Sequence, residues 1–516
     1  MNTNNINPII LTILDGWGYS ETSKGNAIHL AETPTIDQLW NKYPRTLLNA
    51  SGESVGLPNN QMGNSEVGHT TIGAGRIINQ DLVKISKSID NQEFFLNPII
   101  KNTYQHALEF NSKIHLIGLC SNGGVHSHIS HLEALIDISK TYNIETCLHL
   151  ILDGRDTGAK EAKIFIEQIN NKIAHYNNIN ICTISGRYYS MDRDCRWSRT
   201  EKAYVTLTEN INIDTDNIIK IIEKYYKQDI SDEFIPPTRV GIGNISNDDS
   251  IIFFNFRPDR TRQLLHCFAK PNFKGFHKQN INNLMISTFT EYDCTLSIPI
   301  IFPPTIKNNF LGQVISDHKF KQLRIAETEK YAHVTYFFNG GIEEPFPGEN
   351  RILIPSPKVE TYDLKPDMSA YELTDKIIEA IKTDTYDFIV INYANPDMIG
   401  HTGNFEATIE SIEVIDKCIK QLVETIDETH HTLIITADHG NADCMLTNDN
   451  KPCKSHSLNP VPFILVNPTI NNKQILKKNG SLADIAPTIL DLLNINIPQE
   501  MNGQSLLIKN NIITIQ

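Results

Sequence analysis

Seven side chains suited to holding divalent cations sit near the two ends of this chain: Asp15 and Ser65 early, then Asp397, His401, Asp438, His439 and His456. Two Asp/His pairs, one in Asn395-Pro396-Asp397-Met398-Ile399-Gly400-His401 and one in Asp438-His439-Gly440-Asn441, are what a two-metal centre requires. Hard carboxylates mixed with imidazoles suit manganese or zinc, whereas carboxylates alone would point to magnesium or calcium. Ser65 differs in kind from the rest. A hydroxyl on a divalent cation loses its proton more readily, so Ser65 is a candidate nucleophile as well as a ligand.

The elements that must position these groups follow one theme, a short apolar run ending in a polar functional residue. Residues 9–14 run into Asp15, 388–391 lead to Asp397, and 433–436 reach Asp438, each reading as a parallel strand. Ligand crevices of open parallel sheets lie beyond the carboxyl ends of the strands, so three distant aspartates are expected to converge there. Between the last two strands, Ile409, Ile412, Ile415, Ile419, Leu422 and Ile426 recur at spacings of three or four and predict a helix over 405–426.

The middle of the chain repeats the theme with cationic ends. Residues 114–119 precede Ser121-Asn122-Gly123-Gly124-Val125-His126-Ser127-His128, and 147–152 precede Asp153-Gly154-Arg155-Asp156. Residues 181–184 precede Arg187 and Arg193, and 251–254 precede Arg257 and Arg260. The expected fold class is therefore α/β with two domains. One, formed by both chain ends (1–79 and 313–516), carries the metal ligands; the other, 80–312, is inserted between them. The junctions are placed at 79–83 and 303–312, where Pro303-Pro304 and Asn308-Asn309 interrupt the apolar pattern.

Composition narrows the function. A formal charge of -14 is the wrong sign for a general affinity for nucleic acid. No apolar run is long enough to cross a bilayer, and residues 1–5 lack the charge and apolar core of a secretory signal. Nine cysteines without regular spacing read as reduced thiols, and a cytoplasmic protein is expected. Local arginines still permit anionic small molecules as partners.

Taken together, Leu14-Asp15-Gly16-Trp17-Gly18, Gly63-Asn64-Ser65-Glu66-Val67-Gly68-His69, Gly123-Gly124-Val125-His126-Ser127-His128, Asp153-Gly154-Arg155-Asp156 and Asp438-His439-Gly440-Asn441 resemble cofactor-independent phosphoglycerate mutases, of the alkaline phosphatase superfamily. The resemblance continues through Glu327-Thr328-Glu329-Lys330 and Leu482-Ala483-Asp484-Ile485-Ala486-Pro487-Thr488, and so spans essentially the whole chain. It implies an alkaline-phosphatase-like metal domain interrupted by a phosphotransferase domain. It also implies two manganese ions, one on Asp397, His401 and His456, the other on Asp15, Ser65, Asp438 and His439. His126, Arg155, Asp156, Arg187, Arg193, Arg257, Arg260 and Lys330 match substrate-binding positions.

By the same resemblance, 3-phosphoglycerate and 2-phosphoglycerate interconvert through phosphoserine on Ser65, with Lys330 stabilising charge and Asp156 acting as general base. Isomerase activity in glycolysis and gluconeogenesis is expected, in a monomer without nucleic-acid or membrane partners. Shielding a phosphoserine from water calls for the inserted domain to close over the metal domain. The metal motifs alone fit a metal-dependent phosphomonoesterase equally well. One departure is visible: the family usually has aspartate where this chain has Asn122.

Overall fold

A computed structural model describes residues 7–209, 211–214, 216–304, 308–447, 449–467 and 475–508. The chain divides into two α/β units, Met1–Gln80 with Ile306–Gln516, and Asp81–Thr305. The second division falls earlier than 312/313 because the backbone there already belongs to the first unit. Gly312 O accepts a 2.8 Å hydrogen bond from Gln322 Nε2 in that unit's sheet.

Among the described residues the first unit's sheet has eight strands. Their order is Glu349–Ile354, Gln322–Glu327, Phe388–Tyr393, Ile9–Leu14, Thr432–Thr436, Val461–Val466, Arg45–Asn49 and Gly480–Ser481. The first five are mutually parallel, and Val461–Val466 is antiparallel to both its neighbours. The central strands are buried along their whole length, as helices on both faces of a parallel sheet require.

The expected helix runs from Phe405 to Thr429, capped by Asn404, whose side chain accepts from Ala407 N. Ile412, Ile415, Ile419, Leu422 and Ile426 on its inner stripe are fully buried. At about 1.5–3 kcal/mol for each such side chain, packing outweighs the helix propensity cost of its β-branched residues.

The inserted unit carries a six-stranded sheet in the order Thr238–Arg239, Ile179–Gly186, Thr146–Leu152, Ile114–Leu119, Ser250–Phe253 and Met285–Thr288. Only Thr238–Arg239 is antiparallel to its neighbour. The four strands expected from the sequence lie side by side at its centre. No helix among the described residues is long and apolar enough to cross a membrane.

His131 of this unit is fully buried against Phe256 and Phe289, its Nε2 3.0 Å from Ser86 Oγ and its Nδ1 without a hydrogen-bond partner among the described residues. Burial, helped by neighbouring His128, pushes it down to about 3. A histidine with a depressed folded-state pKa gives its full stability above the unfolded value of about 6.5 and loses it as the pH falls toward the folded value. Thermal unfolding of the inserted unit should therefore move to lower temperature between about pH 6.5 and pH 4, the shift corresponding to a few kcal/mol. His131→Leu should flatten that slope; an unchanged slope in the variant would mean that His131 is not the group responsible.

Candidate metal and anion sites

The parallel register delivers the three aspartates to one edge. Leu14 pairs with Tyr393 and Ile13 with Thr436, so Asp15, Asp397 and Asp438 all follow strand ends that lie side by side. Gln322–Glu327 ends on the same edge, and the short helix Thr328–Ala332 that follows it places Lys330 among the carboxylates.

Ser65 is the first residue of helix Ser65–Ala74, whose N-cap Asn64 accepts from Val67 N at 3.0 Å. The helix approaches the sheet closely. A Cβ at Gly68 would lie 2.6 Å from Asp438 O, so glycine is needed there for contact with backbone rather than for a turn. The exposed amides and dipole of a helix N-terminus favour negative charge on a group held there.

Ser65 Oγ lies 2.8 Å from Lys330 Nζ, 3.0 Å from His439 Nε2 and 3.2 Å from Asp15 Oδ1. Lys330 Nζ also donates to Asp15 Oδ1 at 2.7 Å and Asp397 Oδ2 at 2.6 Å. Burial alone would raise the Asp15 and Asp397 pKa values, but the Lys330 ammonium, joined by hydrogen bonds from His439 to Asp15 and from His401 and His456 to Asp397, holds both well below the carboxylate range. Lys330 itself is held above the usual lysine value: burial opposes its charge, and Asp15 and Asp397 outweigh that opposition. His439 is likewise pushed up to about 9, burial being overcome first by Asp438.

Two groups of donors have the spacing of ligands: Asp397, His439 and His456, and Asp15, Asp438 and His439, with one atom from each residue within 4.8 Å of the others. His401 joins the first from its half-exposed rim, its Nε2 3.2 Å from Asp397 Oδ1 and 3.0 Å from His456 Nε2. All seven sequence candidates and Lys330 thus meet in one place. His439 stands between the two groups, where the sequence had assigned it to the second alone.

The donors fit a metal on grounds of charge. Asp15, Asp397 and Asp438 are all buried, Lys330 is the one lysine or arginine paired with any of them among the described residues, and Asp438 Oδ2 accepts no hydrogen bond. Buried carboxylates in excess of their cations are costly, and divalent ions offset that cost. Beside them a cavity of about 450 Å³ is lined by Ser65, Glu329, Lys330, Asp397, His401 and His456, among others.

Sequence reasoning missed the residues that orient the ligands. Asn392 Nδ2 donates to Asp15 Oδ2 at 2.8 Å, and Asn441 Nδ2 to Asp397 Oδ1 at 3.0 Å. His69 Nδ1 is 2.8 Å from Ser65 O and 3.3 Å from Asp438 Oδ2. Asn392 had left a signal, a lone amide inside an apolar strand. His69 had left another, four residues after Ser65 and hence on the same helix face.

The inserted unit gathers the cationic set. Buried Arg187 donates through Nη1 to Asp153 Oδ1 at 2.7 Å and Asp156 Oδ2 at 2.6 Å. Asp153 also accepts from Ser121 Oγ and from the amides of Arg155 and Asp156, which fixes the loop that carries both residues. Asp259 pairs with Arg193 at 2.9 Å and Arg257 at 3.0 Å, and lies 3.7 Å from His126 Nδ1. Burial, and then the Arg187 guanidinium, push His126 down to about 4, so it is neutral near pH 7.

Arg260 is depressed by burial and then by Arg193, Arg187 and Arg155, the electrostatic mark of guanidinium groups crowded together. Such a cluster suits a small polyanion, because an anion would relieve the mutual repulsion while bidentate contacts orient it. Asp153 and Asp259 are the organisers that the sequence reading passed over. Asn122 is exposed.

Comparison with known proteins places the chain in a family. The model of the Metalloenzyme superfamily matches residues 7–497. A protein of Antithamnion sp. named 2,3-bisphosphoglycerate-independent phosphoglycerate mutase is 68% identical over 98% of this chain and 100% of its own length. One of the same name from Thermosynechococcus vestitus is 51% identical over 97% of this chain and 96% of its own. Among solved structures, a phosphoglycerate mutase of Leishmania mexicana, determined at low cobalt concentration, is 27% identical with a TM-score of 0.58, covering 98% of this chain and 99% of that one.

Proposed function

Since the chain belongs to the 2,3-bisphosphoglycerate-independent phosphoglycerate mutase family, we propose that it interconverts 3-phosphoglycerate and 2-phosphoglycerate through a phosphoryl group carried on Ser65, at a centre that takes two manganese ions. The observation that carries this reading is the setting of Ser65 Oγ, at a helix N-terminus and within 2.8 Å of Lys330 Nζ and 3.0 Å of His439 Nε2. Asp15, Asp397, His401, Asp438, His439 and His456, with Ser65, would hold the metals. When bound, they would supply Lewis-acid stabilisation of the transferring phosphoryl oxygens and lower the Ser65 pKa.

The chain's own groups then have separable tasks. Ser65 Oγ attacks phosphorus as it gives up its proton, the ester bond to the glycerate oxygen breaks in line with it, and the departing alkoxide takes up a proton to become the hydroxyl. Lys330 Nζ, already 2.8 Å from Oγ, neutralises charge developing there. In the inserted unit the arginines bind carboxylate and phosphate, and Asp156 takes the proton of the second hydroxyl so that it can recover the phosphoryl group. The same steps would serve flux in both glycolysis and gluconeogenesis.

The test is an isomerisation assay on 3-phosphoglycerate without added 2,3-bisphosphoglycerate. Activity should vanish on chelation and return with manganese. Free phosphate appearing in place of 2-phosphoglycerate would instead establish the phosphomonoesterase. A further expectation concerns Asp153, which touches Arg187 and the Arg155–Asp156 backbone. Asp153→Ala should raise KM for 3-phosphoglycerate roughly tenfold or more, since it unpairs a buried guanidinium and releases the loop. An unaltered KM in steady-state kinetics would show that Arg187 does not need this anchor.

A further inference from the structure

The inserted unit contains a second basic cavity, of about 470 Å³, that shares only Arg193 with the residues proposed above to bind substrate. Pockets for small organic ligands span about 300–1,000 Å³. One wall is a face of helix Arg262–Ala269 and the residue after it, on which Arg262, His266 and Lys270 recur every fourth residue and so point the same way. Lys274 stands on the loop opposite.

Four permanent cations (Arg193, Arg262, Lys270 and Lys274) meet one carboxylate, Asp259, in a chain of net charge -14. Asp259 is already matched by Arg193 and Arg257, and His266 by Asp293 at 2.8 Å. Arg262 (whose Nε donates to Tyr292 O), Lys270 and Lys274 therefore have no carboxylate partner among the described residues.

The remaining wall is aromatic. Trp197, the first residue of its helix, meets Phe273 edge-on with ring centroids 5.0 Å apart. The loop carrying Lys274 lies directly on the indole: a Cβ at Gly275 would be 2.5 Å from Trp197 Cδ2, so only glycine allows the loop this close. The floor is ordered by Gln263, which donates to Asp192 Oδ1 and Thr200 Oγ1 and accepts from Cys195 N. A fixed floor, an aromatic side and cations that no carboxylate matches among the described residues, around one small concavity, make a site for a molecule that has both a flat ring and several negative charges.

We propose that this cavity binds a nucleoside polyphosphate, its base against Trp197 and Phe273 and its phosphates on Arg262, Lys270 and Lys274. Aromatic side chains stack on any base, and guanidinium and ammonium groups bind phosphate oxygens. A nucleic-acid strand is a poorer fit, because the cations converge in a pocket and do not continue as a stripe on this acidic chain. The site is independent of the reading of Ser65, so either can fail alone.

The test is calorimetric titration of the metal-loaded enzyme with ADP in excess magnesium, with adenosine and inorganic pyrophosphate as half-ligands. ADP should bind, and each half-ligand should bind roughly tenfold or more weakly. Lys270→Glu/Lys274→Glu should weaken ADP by at least about tenfold, as should Trp197→Leu, while the lysine pair leaves kcat and KM unchanged without nucleotide. No heat with millimolar ADP, or ADP binding indifferent to both variants, would overturn the site. Pyrophosphate binding as tightly as ADP would overturn the role of the aromatic wall. Displacement of ADP by 3-phosphoglycerate together with a raised KM in the lysine pair would make the cavity part of the substrate site and overturn its independence.

Discussion

Ser65→Ala should lose isomerisation by at least about a thousandfold while leaving the fold intact. The size follows from what the hydroxyl is asked to do. A nucleophile forms and breaks the reacting bond, so no neighbouring group compensates for its removal, whereas loss of one hydrogen-bond partner costs only about 1–3 kcal/mol. The second figure is why the fold should survive. Lys330 keeps Asp15 and Asp397 when Oγ is gone, with both contacts at 2.7 Å or less, so no ammonium or carboxylate is left alone. Steady-state rates, a melting curve and intact-mass detection of a phosphorylated species after rapid quenching with 3-phosphoglycerate together decide the case. A Ser65→Ala enzyme with most of its activity, or one still phosphorylated at this position's peptide, would remove Ser65 from the mechanism.

The order in which this centre became legible reflects the range of the forces that build it. Asp15, Asp397 and Asp438 were readable because a buried parallel strand is a continuous apolar run, and a carboxylate directly after it marks the strand's carboxyl end. The strand bounds agree within two residues at Ile9–Leu14, Phe388–Tyr393 and Thr432–Thr436. Asn392 was not readable as a ligand-orienting group. Its role depends on the register that sets Ile13 against it, a long-range pairing that no local pattern encodes.

Gly68 has its place because Asp438 O would meet any Cβ at 2.6 Å, a clash between residues 370 positions apart. In the inserted unit the arginines announced themselves by following strands, but the carboxylates that aim them did not. Asp259 was lost among Arg257, Pro258 and Arg260 because its task, pairing with Arg193 and Arg257 together, exists only after the loops have folded. Charge sign is written locally; charge pairing is a property of the tertiary structure.

Lys330→Met should separate stability, metal affinity and catalysis in a way that a simple structural role would not. Without metal, Lys330 is the ammonium that compensates Asp15 and Asp397, and removing one partner of a buried ion pair typically costs about 3–5 kcal/mol. Its pKa is raised and those of the two aspartates are lowered. The lysine contribution is therefore complete below the ordinary lysine value and fades as pH rises through the higher folded value. The aspartate contribution is complete above the ordinary aspartate value and fades on acidification, so the wild-type pair is intact at pH 7. The chelated variant should melt several degrees lower at that pH. Because Lys330 competes with cations for the same two carboxylates, the variant should also take up manganese more tightly and gain more in melting temperature from it than wild type does. Catalysis should move the other way, falling by about a hundredfold or more, since the charge beside Ser65 Oγ is missing during transfer. Melting curves with chelator and with manganese, set beside rates at saturating metal, test all three. Equal manganese stabilisation of both proteins would show that Lys330 and metal do not share these ligands, and full activity in the variant would dismiss its role in transfer.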